Sequence, residues 1–313
     1  MRIRPYIYII FALLLLQCFK PVYGRDPVFS QFYAAPLYLN PAFTGSTICH
    51  RIAFNYRLLN SVENFHVANF SYDAFVERLE GGVGIMLTSE DLNMYMMRNS
   101  INAMYAYHLR LSQDVNLNFG VQAGYVGNFS RWGKLNFVDD GEPEPDHVWR
   151  HNVDFAAGVM LFTNRFYGGV AAHHLHEPQM SIYNDDVSKL AMKFTGHFGM
   201  YFEPGSGDPR RRDDPEFFIS PNLIFQQQGY HTHVGAGIYT GIKPVMVGAW
   251  ARRHWLDRDK ENDLYTFVFL VGLNIDDYRI GISYDSFYYG ESQFSNVSKG
   301  ALEISLAFRF NCP

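Results

Sequence analysis

Charge is scarce in this 313-residue chain: Asp, Glu, Lys and Arg together make up 18%, and the formal net charge is −5. No basic block is long enough for nucleic acid. The tightest cluster, Arg210–Arg212, is answered by Asp208, Asp213 and Asp214 and reads as a solvated turn. Beyond residue 24 no apolar run approaches the ~18–20 residues a membrane helix needs, which excludes a helical membrane protein. Catalytic and nucleotide-binding signatures are missing too: there is no Gly-x-Ser-x-Gly elbow, His-Glu-x-x-His pair, phosphate loop or dinucleotide fingerprint. Ser283, Ser286, Asp285 and His254 share no spacing that would set a nucleophile beside a base and its orienting partner. The chain therefore reads as a non-enzyme, with no cofactor and no metal expected. Cysteine is rare, three in all.

An export leader opens the chain. Arg2 and Arg4 precede an apolar run from Tyr6 to Leu16, and Val22-Tyr23-Gly24 supplies small residues at the −3 and −1 positions of a cleavage site. Residues 1–24 are expected to be removed, with Arg25 starting the mature chain. Gln17 before Cys18 lacks the small side chain of a lipid-attachment site. Export leaves Cys49 and Cys312 in an oxidising compartment.

Aromatic residues, by contrast, are abundant at 17%, nearly all Phe (27) and Tyr (21). That composition favours strands. From Arg51 to Phe310 the pattern has period two. Ile52, Phe54, Tyr56 and Leu58 alternate with Ala53, Asn55 and Arg57; Val115 to Tyr125 alternate with Asn116, Asn118, Gly120, Gln122 and Gly124; Leu302 to Phe310 alternate with Glu303, Ser305, Ala307 and Arg309. About fourteen such runs are expected, most of the roughly 9–11 residues a tilted membrane strand requires. An eighth run is read from Leu190 to Phe202. Gly81-Gly82 is read as a turn, and Pro221 as a bulge or an unpaired position. The reading is an all-β transmembrane outer-membrane barrel of about fourteen antiparallel strands over residues 51–313, facing lipid. Short turns are expected on the periplasmic side (77–81, 111–114, 164–165, 241–244, 276–277, and a longer 203–215). Longer loops are expected outside (59–64, 88–94, 128–150, 175–188, 253–263, 287–299, and a short one at 228–231).

Between leader and barrel lies RDPVFSQFYAAPLYLNPAFTGS, residues 25–46 of an expected 25–50 segment. Pro27, Pro36 and Pro41 exclude a regular helix or a central strand. Yet Val28, Phe29, Phe32, Tyr33, Leu37, Tyr38, Leu39 and Phe43 are too apolar for a solvated tail, so the segment is expected to pack inside or against the body built by the rest of the chain. Its Asp26, Pro27, Phe29, Ser30, Gln31, Tyr33, Asn40, Pro41, Ala42 and Gly45 closely resemble the N-terminal signature of the PorP/SprF family, outer-membrane proteins of the type IX secretion system of Bacteroidota. Arg25 stands where many relatives carry glutamine. The resemblance implies a barrel that scaffolds or anchors secretion, its N-terminal segment plugging or bracing the lumen. It also implies as partners periplasmic peptidoglycan-linked components and exported proteins with C-terminal sorting domains, in some relatives a gliding adhesin.

Asn40-Pro41-Ala42 also matches the hatch of fatty-acid-type channels of about fourteen strands. Transport of hydrophobic small molecules is therefore the alternative function. Closing the barrel sets its first strand beside its last. Cys49 and Cys312 then flank the seam, either as a disulfide or as two free thiols. His173, His174 and His176 with Glu177, and the same-face pair His231 and His233, are read as lumen or loop residues, with a metal as the sharper alternative. Trp132, Trp149, Trp250 and Trp255 are expected in interfacial girdles. The acids Asp139, Asp140, Glu142, Glu144 and Asp146 are placed in a solvated outside loop or a docking surface.

Overall fold

The computed structural model describes residues 22–59, 65–92, 96–130, 148–180, 188–202, 217–255, 263–289 and 300–312. Among them, fourteen strands close into a single barrel. They are β1 (His50–Leu59), β2 (Phe65–Val76), β3 (Gly81–Leu92), β4 (Met96–Arg110), β5 (Val115–Ser130), β6 (Val148–Thr163), β7 (Phe166–His173), β8 (Lys193–Met200), β9 (Phe217–Gln228), β10 (His231–Ile242), β11 (Val245–Trp255), β12 (Asp263–Ile275), β13 (Tyr278–Tyr289) and β14 (Ala301–Phe310). Each pairs antiparallel with its chain neighbours. The seam closes where β14 meets β1, Ala301 opposite Leu59 and Phe310 opposite His50.

Alternation decides which way each side chain points. Phe54, Phe70, Leu87, Phe119, Phe155, Phe269 and Ile304 are exposed, while Asn55, Asn69, Met86, Asn118, Asp154, Val268 and Glu303 beside them are buried. Exposed aromatics and buried amides invert the arrangement of a water-soluble protein. The outward band is a lipid-facing surface, and the polar groups line a lumen.

The two ends differ. At one, the chain reverses in a few residues, at Glu77–Glu80, 111–114, 164–165, 243–244 and 276–277. Cys49 and Cys312 lie at this end, joined by a disulfide with Cα atoms 4.3 Å apart. At the other end most connections are longer (131–147, 174–192, 256–262 and 290–300), while 93–95 and the reversal at Gly229-Tyr230, where Gly229 has φ +57°, are short.

Several local expectations are decided or corrected by the structure. Gly81 and Gly82 are strand residues, and the reversal belongs to Glu77–Glu80, with Glu80 at φ +47°. The eighth barrel strand begins at Lys193. Leu190 instead ends a short strand, Ser188–Leu190, that runs parallel to Val22–Gly24. Of the two readings of Pro221, the bulge is not found, since Pro221 faces Ile238 in an unbroken β9–β10 register, and the unpaired position is. Toward β8 the ladder stops at Gly199–Asn222 and resumes only as a bridge at Phe202–Ile219. Pro221, which has no N–H to donate, occupies that gap. Finally, the edges of several expected loops are strand: Thr88–Leu92 in β3, Asn128–Ser130 in β5, Val148–Arg150 in β6, Arg253–Trp255 in β11 and Phe287–Tyr289 in β13.

Residues 1–21 of the expected leader, Trp132, the acids between 139 and 146, and the whole turn at 203–215 lie outside the described residues.

Candidate functional site

The segment from Asp26 to Gly45 runs among the inward-facing side chains. Its prolines punctuate it: Pro36 starts a single helical turn (Pro36–Leu39) and Pro41 a 3₁₀ turn (Pro41–Phe43), where a missing N–H costs nothing. Asn40 joins the two turns, its Oδ1 accepting from Ala42 N at 2.9 Å.

Ser30 and Gln31 sit in a charge-balanced nest contributed by β1, β11, β13 and β14. Glu303 accepts from Ser30 N (2.6 Å) and Gln31 N (3.0 Å). Arg57 bridges Asp285 (2.7 Å) and Glu303 (3.1 Å) and donates to Ser30 Oγ at 2.6 Å. Ser30 Oγ in turn lies 2.7 and 2.6 Å from the two oxygens of Asp285. Arg252 donates to Ser30 O (3.0 Å) and Ser30 Oγ (3.2 Å). Gln31 Nε2 reaches Glu303 O (3.0 Å) and Ser283 Oγ (3.2 Å), and its Oε1 accepts from Ser305 Oγ and Tyr33 Oη. Two guanidinium and two carboxylate groups are thus buried together, each holding the others in place.

A second cluster, contributed by other strands but also toward the end of the longer connections, holds Asp26. His174, just past the end of β7 with φ +57°, places Nε2 2.8 Å from Asp26 and Nδ1 2.8 Å from Asp154. Lys193 (2.7 Å) and Arg98 (3.3 Å) also reach Asp26, and Arg98 pairs with Glu90 at 3.1 Å. Burial pushes the Asp26 carboxyl up, but His174, Lys193 and Arg98 together outweigh it and hold it well below the usual range. Burial likewise lowers His174, yet the carboxylates of Asp26 and Asp154 raise it to about 9. Both ring nitrogens therefore donate, as an imidazolium.

The remaining anchors are close backbone approaches and aromatic contacts. Asn40 Nδ2 lies 3.2 Å from Val159 O, Val170 O and His197 Nε2. Gly45 N donates to Asp73 (2.8 Å), which Arg51 also holds. Gly45 has φ +64°, and a Cβ there would come 2.4 Å from Gly82 Cα, so no other residue fits. Phe32 meets Trp250 and Tyr33 meets Tyr239 edge to face, while Phe29 packs on Val67 and Tyr38. Tyr38 Oη donates to Pro27 O at 2.8 Å. Ala42 is fully buried.

All ten signature residues thus belong to one packed unit. What sequence reading missed is the receiving surface. Arg57, Asp73, Glu90, Arg98, Asp154, Lys193, Arg252 and Glu303 are charged residues on inward positions of long apolar strands, and that placement was the available signal. Asp285 and Ser283 hold Ser30 and Gln31 and form no catalytic set with His254, which stacks on His233. His173 faces Leu39 O, and His176 lies edge-on to Phe155. Among the described residues no three His, Cys, Asp or Glu are grouped to hold a metal. Trp250, expected in a girdle, points inward; Trp149 points outward beside Phe129.

The likeness to known proteins takes in segment and barrel together. A family described as "Type IX secretion system membrane protein PorP/SprF" matches residues 22–308. No curated protein matches. Among solved structures, the CymD monoaromatic hydrocarbon channel has a TM-score of 0.54 at 8% identity, over 92% of this chain and 95% of that one. The Pseudomonas putida toluene transporter TodX gives 0.51 at 10% identity, over 93% and 100%. At such identities the likeness is one of fold.

Proposed function

The chain belongs to the PorP/SprF family of type IX secretion system membrane proteins, and from that membership we propose that it is an outer-membrane scaffold of this system, its lumen braced and plugged by residues 25–50. It anchors export of proteins with C-terminal sorting domains, working with peptidoglycan-linked components on the side of the short turns, which is the periplasmic side. The observation that carries the reading is the family match from residue 22 to 308, spanning the segment and the wall that receives it. The geometry supports a static role. A buried nest of two arginines and two carboxylates around Ser30 ties the segment to four strands. A group that had to leave on every transport cycle would have to be re-solvated each time.

The test is an affinity pull-down of the tagged barrel from solubilised outer membranes, with bound proteins identified by mass spectrometry. Recovery of type IX periplasmic ring or peptidoglycan-binding components, or of one secreted protein held by its C-terminal domain, is expected. Recovery of neither, with a hydrophobic compound retained in the barrel, would overturn the reading in favour of a small-molecule transporter.

A further inference from the structure

Inside the barrel, between the segment and the short-turn end, lies a cavity of about 290 Å³. Phe32, Leu39, Phe43, Phe218, Ile224 and Met246 supply its apolar lining, interleaved with the polar side chains of Ser220, Asn222 and Asn274. Arg51, Arg279, Arg309 and Asp277 stand at its mouth. Three buried polar atoms on the same wall have no hydrogen-bond partner: Tyr239 Oη, Trp250 Nε1 and His197 Nδ1. A contact from the indole N–H to the phenol oxygen would still leave the phenol proton without an acceptor. His197 Nε2 faces the Asn40 Nδ2 donor, so Nε2 accepts and the proton of the neutral ring sits on Nδ1. All three atoms are therefore donors, and buried donors are ordinarily satisfied.

The rest of the lumen shows what such donors receive. His173 Nε2 meets Leu39 O (3.3 Å), His108 Nε2 meets Thr44 O (2.9 Å), Asn118 Nδ2 donates to Ala42 O (3.3 Å) and Arg252 to Ser30 O (3.0 Å). Inward donors of this wall recognise the carbonyl oxygens of an irregular peptide lying between aromatic side chains. We infer that the cavity is a second peptide site of the same kind. It takes an extended segment of a partner protein inserted from the short-turn end, with an apolar side chain among the aromatics, carbonyls on Tyr239, Trp250 and His197, and an acidic residue at the arginine mouth. The chain's own neighbouring connection, EPGSGDPRRRDDPE at 203–216, carries no large apolar side chain to fill it. The inference draws on the scaffold reading only for the existence of a partner on that side.

Trp250 provides the readout. In the full-length protein in lipid nanodiscs, with Trp132, Trp149 and Trp255 changed to Phe, it is the remaining tryptophan of four. The probes are a blocked hexapeptide with a Leu-Phe pair followed by two aspartates, the same peptide with serines for Leu-Phe, and octanoate. The apolar-acidic peptide is expected to shift Trp250 emission saturably, the serine peptide not at all. Tyr239→Phe should weaken binding about tenfold, as for one lost hydrogen bond in a closed site. Ser220→Phe, which fills the cavity from β9, should abolish it. Heat-modifiable migration on gels confirms that each variant is a folded barrel. Saturation by octanoate but not by the peptide would overturn the inference in favour of a small-amphiphile site. A flat response to every probe would overturn it in favour of water alone. Either result leaves the pull-down free to succeed, since a partner could dock elsewhere.

Discussion

Arg57 bridges two buried carboxylates, Asp285 and Glu303, and donates to the Ser30 hydroxyl. Replacing it by Met leaves Asp285 and Glu303 buried against a single guanidinium, that of Arg252. Breaking a buried pair in this way costs about 3–5 kcal/mol. The wall has its own ladder hydrogen bonds, so the loss should fall on the segment. Limited proteolysis of the folded Arg57→Met barrel should cut within residues 25–45 while sparing the strands. Gly120 offers a complementary test. A Cβ there would come 2.2 Å from Ala42 N, although the residue sits in a regular strand. Gly120→Ala should loosen the segment, yet be neutral or slightly stabilising once residues 25–45 are deleted; equal destabilisation in both backgrounds would contradict the close approach.

His174 and Asp26 add a pH dependence at this scale. His174 is raised from 6.5 to about 9, so its contribution is complete below about pH 6.5 and disappears as pH rises through about 9. Asp26 is depressed, so its contribution is present above its ordinary 3.8 and is lost as pH falls below that. Lys193, Arg98 and Glu90 face the same pair and complete the cluster. The protection of residues 25–30 against hydrogen exchange, taken relative to the intrinsic base-catalysed rate, should therefore fall between about pH 7 and 9.5. The alkaline limb should be missing in His174→Gln.

At the scale of elements, closure is the governing event. Strands β14 and β1 are the two ends of the barrel chain, and the bond between Cys49 and Cys312 spans 263 residues at their seam. In the chain-entropy account a loop of that length is worth about 5.6 kcal/mol to the folded state. Both thiols should resist alkylation in the unreduced mature protein and become reactive together after reduction. Two reactive thiols without reductant would contradict the bond. Pro221 is an element-scale feature as well. A missing donor is tolerated within the wall because the β8–β9 ladder is interrupted at its level, while β9–β10 continues in register.

For the whole molecule, the segment decides what kind of barrel this is. Deleting residues 25–45 would expose Arg57, Arg252, Asp285 and Glu303 to a water-filled lumen without disturbing the outward apolar band. The truncated barrel should show steady conductance in planar bilayers where the intact one shows little. Equal conductance of the two would contradict a plugging role.

The sequence by itself determined the wall. A two-residue apolar period sustained from β1 to β14 is a local property, because each side chain's direction is set by its place in the pleat. Strand number and the lipid-facing set were therefore legible before any contact was known. The burial of residues 25–45 was legible as well, since prolines and aromatics together can be neither regular nor solvated. Only the tertiary structure decided where the segment goes. Ser30 meets Glu303 and Asp26 meets His174 across separations of 273 and 148 residues. Which inward positions share a level depends on strand tilt and register around a closed ring. Trp250 shows the same limit. Its neighbours along β11 are small or charged, so composition left its direction open, and the barrel turned it inward onto Phe32 because its register partner Gly237 leaves room for the indole there.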